Sequence, residues 1–264
     1  MNLIKKFINL TAVSLSLGLL SISSLPKGIA ESPRRWQNWQ ISQKFIPPNR
    51  QAPRTTAGGG SRGRFCELAS KETIQPLIPQ NKFGLTLAER PSFYWFVPQV
   101  SVQKAHFSLL DDQGVVYETT VKLPKESGIV GFTLPSNASS LKVGKKYHWY
   151  LAIACNPEAE KEMTVDGWVE RIPATPALSQ QLARTNPQQL SQVYANAGIW
   201  HEALHTLVQQ RLAHPSDRKV AANWQVFLES VGLKDLVSQP LLNQYLENVQ
   251  TLKENHKGEC GSQL

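Results

Sequence analysis

Asp111-Asp112-Gln113-Gly114-Val115-Val116-Tyr117-Glu118-Thr119-Thr120-Val121-Lys122-Leu123 is the stretch that decides the fold. Val115, Tyr117, Thr119, Val121 and Leu123 fall on every second residue, the period of a strand with one buried face. The Asp-Asp-Gln-Gly ahead of them is a hairpin turn, because Asp and Gly accept the backbone angles of a tight reversal. The same alternation recurs in Tyr147, Trp149, Leu151 and Ile153. Working outward, short apolar runs divided by turn residues predict strands over 73–78, 93–97, 106–110, 115–123, 129–134, 146–155 and 163–172. About seven short strands in a hundred residues, with no helical stretch between them, predict a small antiparallel β-sandwich over 65–173. Leu141-x-x-Gly144-x-x-Tyr147-x-Trp149 adds the approach to a tyrosine-corner strand of immunoglobulin- or fibronectin-like domains.

After Pro173 and Pro176 the period lengthens. Helices are predicted over 178–184, 188–197, 200–213, 218–231 and 241–254, with Asn186-Pro187 as a start, Gly198 as a stop and Pro215 as a break. Leu190, Tyr194, Gly198, Ala203, Leu204, Leu207 and Pro215 sit where one tetratricopeptide-like helical hairpin would place them. A solenoid needs about three such units, so a single hairpin packed on further helices is expected. The fold class is therefore α+β, with a sandwich followed by a small helical domain over 174–256 and a tail over 257–264.

The N-terminus has a different grammar. Lys5 and Lys6 precede an uncharged, mostly apolar run over 7–20, and Gly28 and Ala30 close residues 1–30 with small side chains. That is the order of a cleaved signal peptide, and the run is short of the ~20 residues of a membrane span. No Cys stands directly after it, which argues against a lipid anchor, and no other segment is apolar enough to span a bilayer. The expectation is an exported protein. Cys66, Cys155 and Cys260 could then pair, one thiol remaining over, and Cys66–Cys155 is the favoured pairing.

The formal charge of +8 is not spread along the chain. Three Lys lie in the leader, and residues 31–64 set Arg34, Arg35, Lys44, Arg50, Arg54, Arg62 and Arg64 against Glu31 alone, leaving −1 from Phe65 onward. Residues 31–64 also hold Pro33, Pro47, Pro48, Pro53 and a Gly run, so they read as a disordered basic arm. With Trp36 and Trp39 interleaved, the arm suits an envelope protein, an acidic surface or an acidic polymer. The expected compartment argues against nucleic acid.

One catalytic motif is present. His201-Glu202-Ala203-Leu204-His205 matches H-E-x-x-H, in which two imidazoles one turn apart bind zinc and the glutamate acts as general base. Its context argues against it. Trp200, Ala203, Leu204, Leu207 and Val208 form the buried stripe, with His201 and His205 on its flank and Glu202 turned to solvent. Arg211 and Val208 stand where a metzincin carries its third histidine and its glycine. His214 and Glu229 are off-pattern, while His106 and His148 read as structural. No catalytic, cofactor-binding or metal-ligating residue is assigned. The leading expectation is a non-enzymatic binding or scaffold module of the cell envelope. The alternatives are a zinc hydrolase built on that motif, and a glycan or cell-wall polymer binder using aromatics such as Tyr94, Trp95 or Trp168.

A resemblance extends this reading. Pro53-Arg54-Thr55-Thr56-Ala57-Gly58-Gly59-Gly60-Ser61-Arg62-Gly63 through Cys66, then Leu77-Ile78-Pro79, then Leu87-Ala88-Glu89-Arg90-Pro91-Ser92-Phe93-Tyr94-Trp95-Phe96-Val97-Pro98 resemble a family of cyanobacterial exported proteins, domain of unknown function 928. The likeness continues through 141–149 and Gly198-Ile199-Trp200 to Val231-Gly232-Leu233. It implies compartment and architecture and attaches no activity. In its pattern the positions of His201 and His205 are not fixed as histidine.

Overall fold

The computed structural model describes residues 43–53, 73–156 and 161–243, with no side-chain description at 155, 156 and 161. The leader, Trp36 and Trp39, the Gly run, the Cys66–Cys155 pairing, the tail and all but the first residues of the 241–254 helix lie outside the described residues. No helix among the described residues is long and apolar enough to cross a membrane.

Among the described residues eight strands form two sheets: β1 (Gln75–Pro76), β3 (Ser92–Val97) and β6 (Gly128–Thr133) in the smaller, in the order β1-β3-β6. The larger runs β2-β8-β7-β4-β5, from β2 (Phe83–Thr86), β4 (Lys104–Asp111), β5 (Gly114–Lys122), β7 (Lys146–Asn156) and β8 (Lys161–Arg171). The alternating stretches become β5 and β7. The missing element was β2, which pairs with β8 in parallel and so departs from the all-antiparallel expectation. Between the sheets, Phe93 and Trp95 meet Phe107 and Trp149 with ring centroids 5.3 to 5.9 Å apart, tilted or edge-on. Such geometry adds to the area these rings bury.

Two local devices fix this core. The Tyr147 hydroxyl accepts the Lys142 N–H at 2.9 Å and so ties the start of β7 to the loop before it. Gly167 lies opposite Trp149 in the β7–β8 register. The indole lies across it so closely that a Cβ there would sit 2.4 Å from Trp149 Cζ2 and 2.8 Å from Ile78 Cδ1. Both contacts are packed rings or methyls, with no flexible side-chain end to yield. Gly167→Ala should therefore destabilise the protein by about 2 kcal/mol, as overpacking does. Urea denaturation measures it, and an unchanged midpoint would show that the indole can move aside.

Four α-helices follow among the described residues: α1 (Pro176–Arg184), α2 (Leu190–Asn196), α3 (Trp200–Ala213) and α4 (Arg218–Glu229). Thr175 caps α1 ahead of Pro176, and Asp217 caps α4 by accepting the Lys219 and Val220 N–H groups. Gly198, at φ 72°, turns the chain between α2 and α3, which pack on each other. The expected stripe of α3 is buried, from Trp200 through Ala203, Leu204 and Leu207 to Val208.

The helices and sheets share one core. Trp200 stacks on Phe227 of α4 at 4.9 Å and donates its indole N–H to Leu77 O at 3.1 Å, beyond β1. Phe45 closes the third side edge-on at 4.9 Å. Residues 43–46, read from composition as part of a disordered arm, are thus seated on the helices, and Arg50 pairs with Glu170 of β8. The Phe45 N–H bonds Ser230 Oγ at 3.0 Å, the Ile46 N–H bonds Ala195 O at 3.1 Å, and Ser191 Oγ donates to buried Gln43 at 3.2 Å. Composition hid this because one buried phenylalanine outweighs the prolines and charges around it. At the far end, Leu241 bridges Ile129 in parallel and covers the outer edge of β6.

Candidate functional site

The zinc-motif residues sit under the larger sheet's β2 end. His201 is buried, and its Nδ1 lies 3.0 Å from Ser92 O. A carbonyl only accepts, so Nδ1 carries the proton and the Nε2 lone pair is left without a partner. That lone pair faces β2, where a Cβ on Gly84 would lie 2.8 Å from Nε2. Burial pulls the His201 imidazole down to about 4, so it is neutral. His205 Nδ1 lies 2.8 Å from the Tyr94 hydroxyl, and burial raises that phenol.

Glu202 corrects the helical-wheel reading. Its Oε1 accepts the Thr86 hydroxyl at 2.6 Å and the N–H groups of Leu87 and Ala88 at 3.0 and 2.9 Å. Its Oε2 is buried without a partner. The carboxylate therefore stitches α3 to the turn after β2 instead of meeting solvent, and burial raises its proton affinity. The wheel failed because β2 covers the face it left open. No group of three or more His, Cys, Asp or Glu among the described residues is arranged to hold a metal ion. His201 and His205 bond β3, and Glu202 bonds the end of β2 and the turn after it.

A second cluster lies on the outer face of the larger sheet. In the β7–β8 register His148 stands opposite Trp168 and Tyr150 opposite Asp166. The imidazole stacks on the indole at 4.2 Å with 15° between planes. Its Nε2 lies 2.9 Å from Asp166 Oδ2 and its Nδ1 2.7 Å from the Tyr150 hydroxyl. Lys82, in the left-handed region at φ 53°, donates to Asp166 Oδ1 at 2.6 Å. The His148 bond, then Lys82, hold the Asp166 carboxyl below the usual range. That carboxylate accepts from Nε2, and the Tyr150 hydroxyl meets Nδ1. Burial and Asp166 raise the Tyr150 phenol. Chemically, the cluster offers a half-buried indole, stacked by His148 on one face and packed against the Phe83, Leu85 and Ile199 cluster, with phenol, carboxylate and ammonium groups beside it to hydrogen-bond a polar ligand. Asn81, next to Lys82, lines an open depression with Pro48, Asn49, Arg50, Gln51 and Ala52.

Of the three aromatics expected at a glycan surface, Tyr94 and Trp95 are core, 2 % and 0 % exposed. Both faces of β3 are covered, one by the larger sheet and one by α3. Trp168 stays half-buried at the surface. His148 and Asp166 were missed as a pair because strand alternation sets a side chain's face and leaves its cross-strand neighbour open.

The sequence pattern around β3 also finds its cause. Arg90 donates to Pro135 O, Ser136 O and Ala138 O and so holds the loop after β6. Glu89 accepts from Ser140 and Arg171, which lower its carboxyl, and Arg171 also bonds Leu141 O at 2.8 Å. A family model described as Domain of Unknown Function (DUF928) matches residues 57–241. The chain belongs to that family. In this DUF928 protein the match spans both sheets and all four helices, ends at the Leu241 bridge and excludes the docked residues 43–46. No curated protein matches the chain.

Proposed function

We propose that this DUF928 chain is an exported, non-enzymatic binding module of the cell envelope that presents the Trp168 face of its larger sheet to a polyhydroxylated ligand, such as a wall glycan. The charged, apolar and small-residue order of residues 1–30 supports export. The strand orders, the parallel β2–β8 pairing and the Tyr147 bond support an immunoglobulin-like sandwich. Gly198 and buried Ala203 support a tetratricopeptide-like α2–α3 hairpin. Basic residues between 34 and 64 act as an electrostatic tether that salt weakens.

The observation that carries the reading is the outer cluster. A flat indole beside a phenol, a carboxylate and an ammonium is suited to a sugar ring, which has apolar faces and hydroxyl edges. The H-E-x-x-H residues, by contrast, are spent on internal bonds. Calorimetric titration of the purified protein with soluble peptidoglycan fragments should give saturable binding. Trp168→Ala should weaken it about tenfold or more, the loss of one stacking anchor. Equal binding by wild type and variant would remove this face from the function. One equivalent of zinc, lost in His201→Ala, would instead establish the hydrolase.

A further inference from the structure

The sheet edges are not treated alike. The outer edge of β6 takes Pro240 and Leu242, through Ile129 N–H to Pro240 O at 2.7 Å and Leu242 N–H to Ile129 O at 3.0 Å. β2 lies against α3, which Glu202 fastens to the turn that follows. β5 pairs with β4 on one side and with nothing on the other among the described residues. Its run from Tyr117 to Lys122 keeps an unbroken register with β4. An open, regular edge without proline is a template for a further strand.

The pattern of that edge fits itself. Leu123 N–H is turned to Gln103 O of the same sheet. Alternation therefore turns the backbone groups of Glu118, Thr120 and Lys122 outward, and their side chains are exposed. Two copies joined edge to edge, both showing the same face, must pair residues of equal parity. Centring on Glu118 opposes two carboxylates, which destabilises. Centring on Thr120 sets Glu118 against Lys122 of the second copy twice, and Thr119 against Val121 twice. It also brings the six outward backbone donors into mutual pairs. The register skips Val116 in β5, and in this arrangement that bulge falls opposite Pro124, so the seam ends at both limits together.

We propose that β5 is the seam of a homodimer, an antiparallel pairing centred on Thr120 that joins two larger sheets into one. The seam is isologous, so it closes and does not propagate. Both Trp168 faces then look the same way.

Sedimentation equilibrium of the purified protein tests it with two charge reversals at exposed positions. Wild type should associate to twice the chain mass. Glu118→Lys and Lys122→Glu should each raise the dimer dissociation constant about tenfold, since each opposes like charges at two crossings. An equimolar mixture of the two variants should recover wild-type association, because every crossing is then Lys against Glu. That recovery also shows that both variants are folded. A monomeric wild type overturns the proposal, and protected amides at 118, 120 and 122 in such a monomer would give the edge to another segment of the same chain. Variants that associate as well as wild type, or a mixture that fails to recover, overturn it equally.

Discussion

Trp200→Ala should cost about 4 kcal/mol of stability, the range for removing a fully buried Trp. The side chain is 0 % exposed and touches three separate parts of the chain. Phe227 loses its stacking partner, Phe45 loses the ring it meets edge-on, and Leu77 O loses its donor. A cavity at that junction cannot collapse from one side, since its walls belong to the docked segment, the end of β1 and α4. Trp200→Phe keeps the stack and drops the hydrogen bond, so its loss should be under half as large. Guanidinium denaturation measures both. A loss below about 1 kcal/mol for the alanine variant would mean that the junction repacks.

Glu202→Ala should be the second large effect, about 3 kcal/mol. It strips the acceptor from the Thr86 hydroxyl and the Leu87 and Ala88 N–H groups, and buried donors left unpaired are costly. Glu202→Gln keeps an acceptor oxygen in that place and should stay within about 1 kcal/mol of wild type at neutral pH. The pair of variants separates structure from catalysis. A general base would be lost in both, whereas a stitch is lost only in the alanine.

The acid response at this helix has two opposed parts. The unfolded chain protonates His201 near 6.5 and the folded one only near 4. Stability from the neutral, buried imidazole is therefore intact above pH 6.5 and lost as pH falls toward 4, by about 3 kcal/mol at most. Glu202 runs the other way, because its folded value is raised above 4.5. Its contribution is fully present below that value and is lost as pH rises through the folded one. Thermal melts across the acid range should show the His201 loss in wild type and its absence in His201→Gln. Equal pH slopes in the two proteins would place the response elsewhere.

The fold was legible wherever one element carried its own pattern. Val115 to Leu123 and Tyr147 to Ile153 announced β5 and β7 because each has one buried face, and Trp200 to Val208 announced α3. Elements defined by a neighbour were not legible. β2 is four residues with Gly84 in the middle, and that glycine is explained by His201 Nε2 and Trp200 Cδ1, which would lie 2.8 and 3.1 Å from a Cβ there. Without β2, Glu202 looked solvent-facing. The outer cluster needed the β7–β8 register, which no single strand contains. The motif residues themselves were identifiable, and what the pattern could not tell was that His201 and His205 reach for β3 while Glu202 reaches for the end of β2 and the turn after it.

The docking of Phe45 also has a kinetic consequence. Its N–H bonds Ser230 across 185 residues, so the aromatic junction cannot close until nearly the whole described chain is available. Contacts of such separation bear their loop-closure entropy before any stabilisation returns, and they slow folding. Residues 43–46 leave the ribosome before every described strand, yet their binding surface on α2, α3 and α4 is made last. Until α4 arrives, Trp200 has neither Phe227 nor Phe45 to cover it. A nascent chain that still lacks α4 thus leaves the Phe227 side of the Trp200 indole uncovered, a handle for a holding factor that completion of α4 removes.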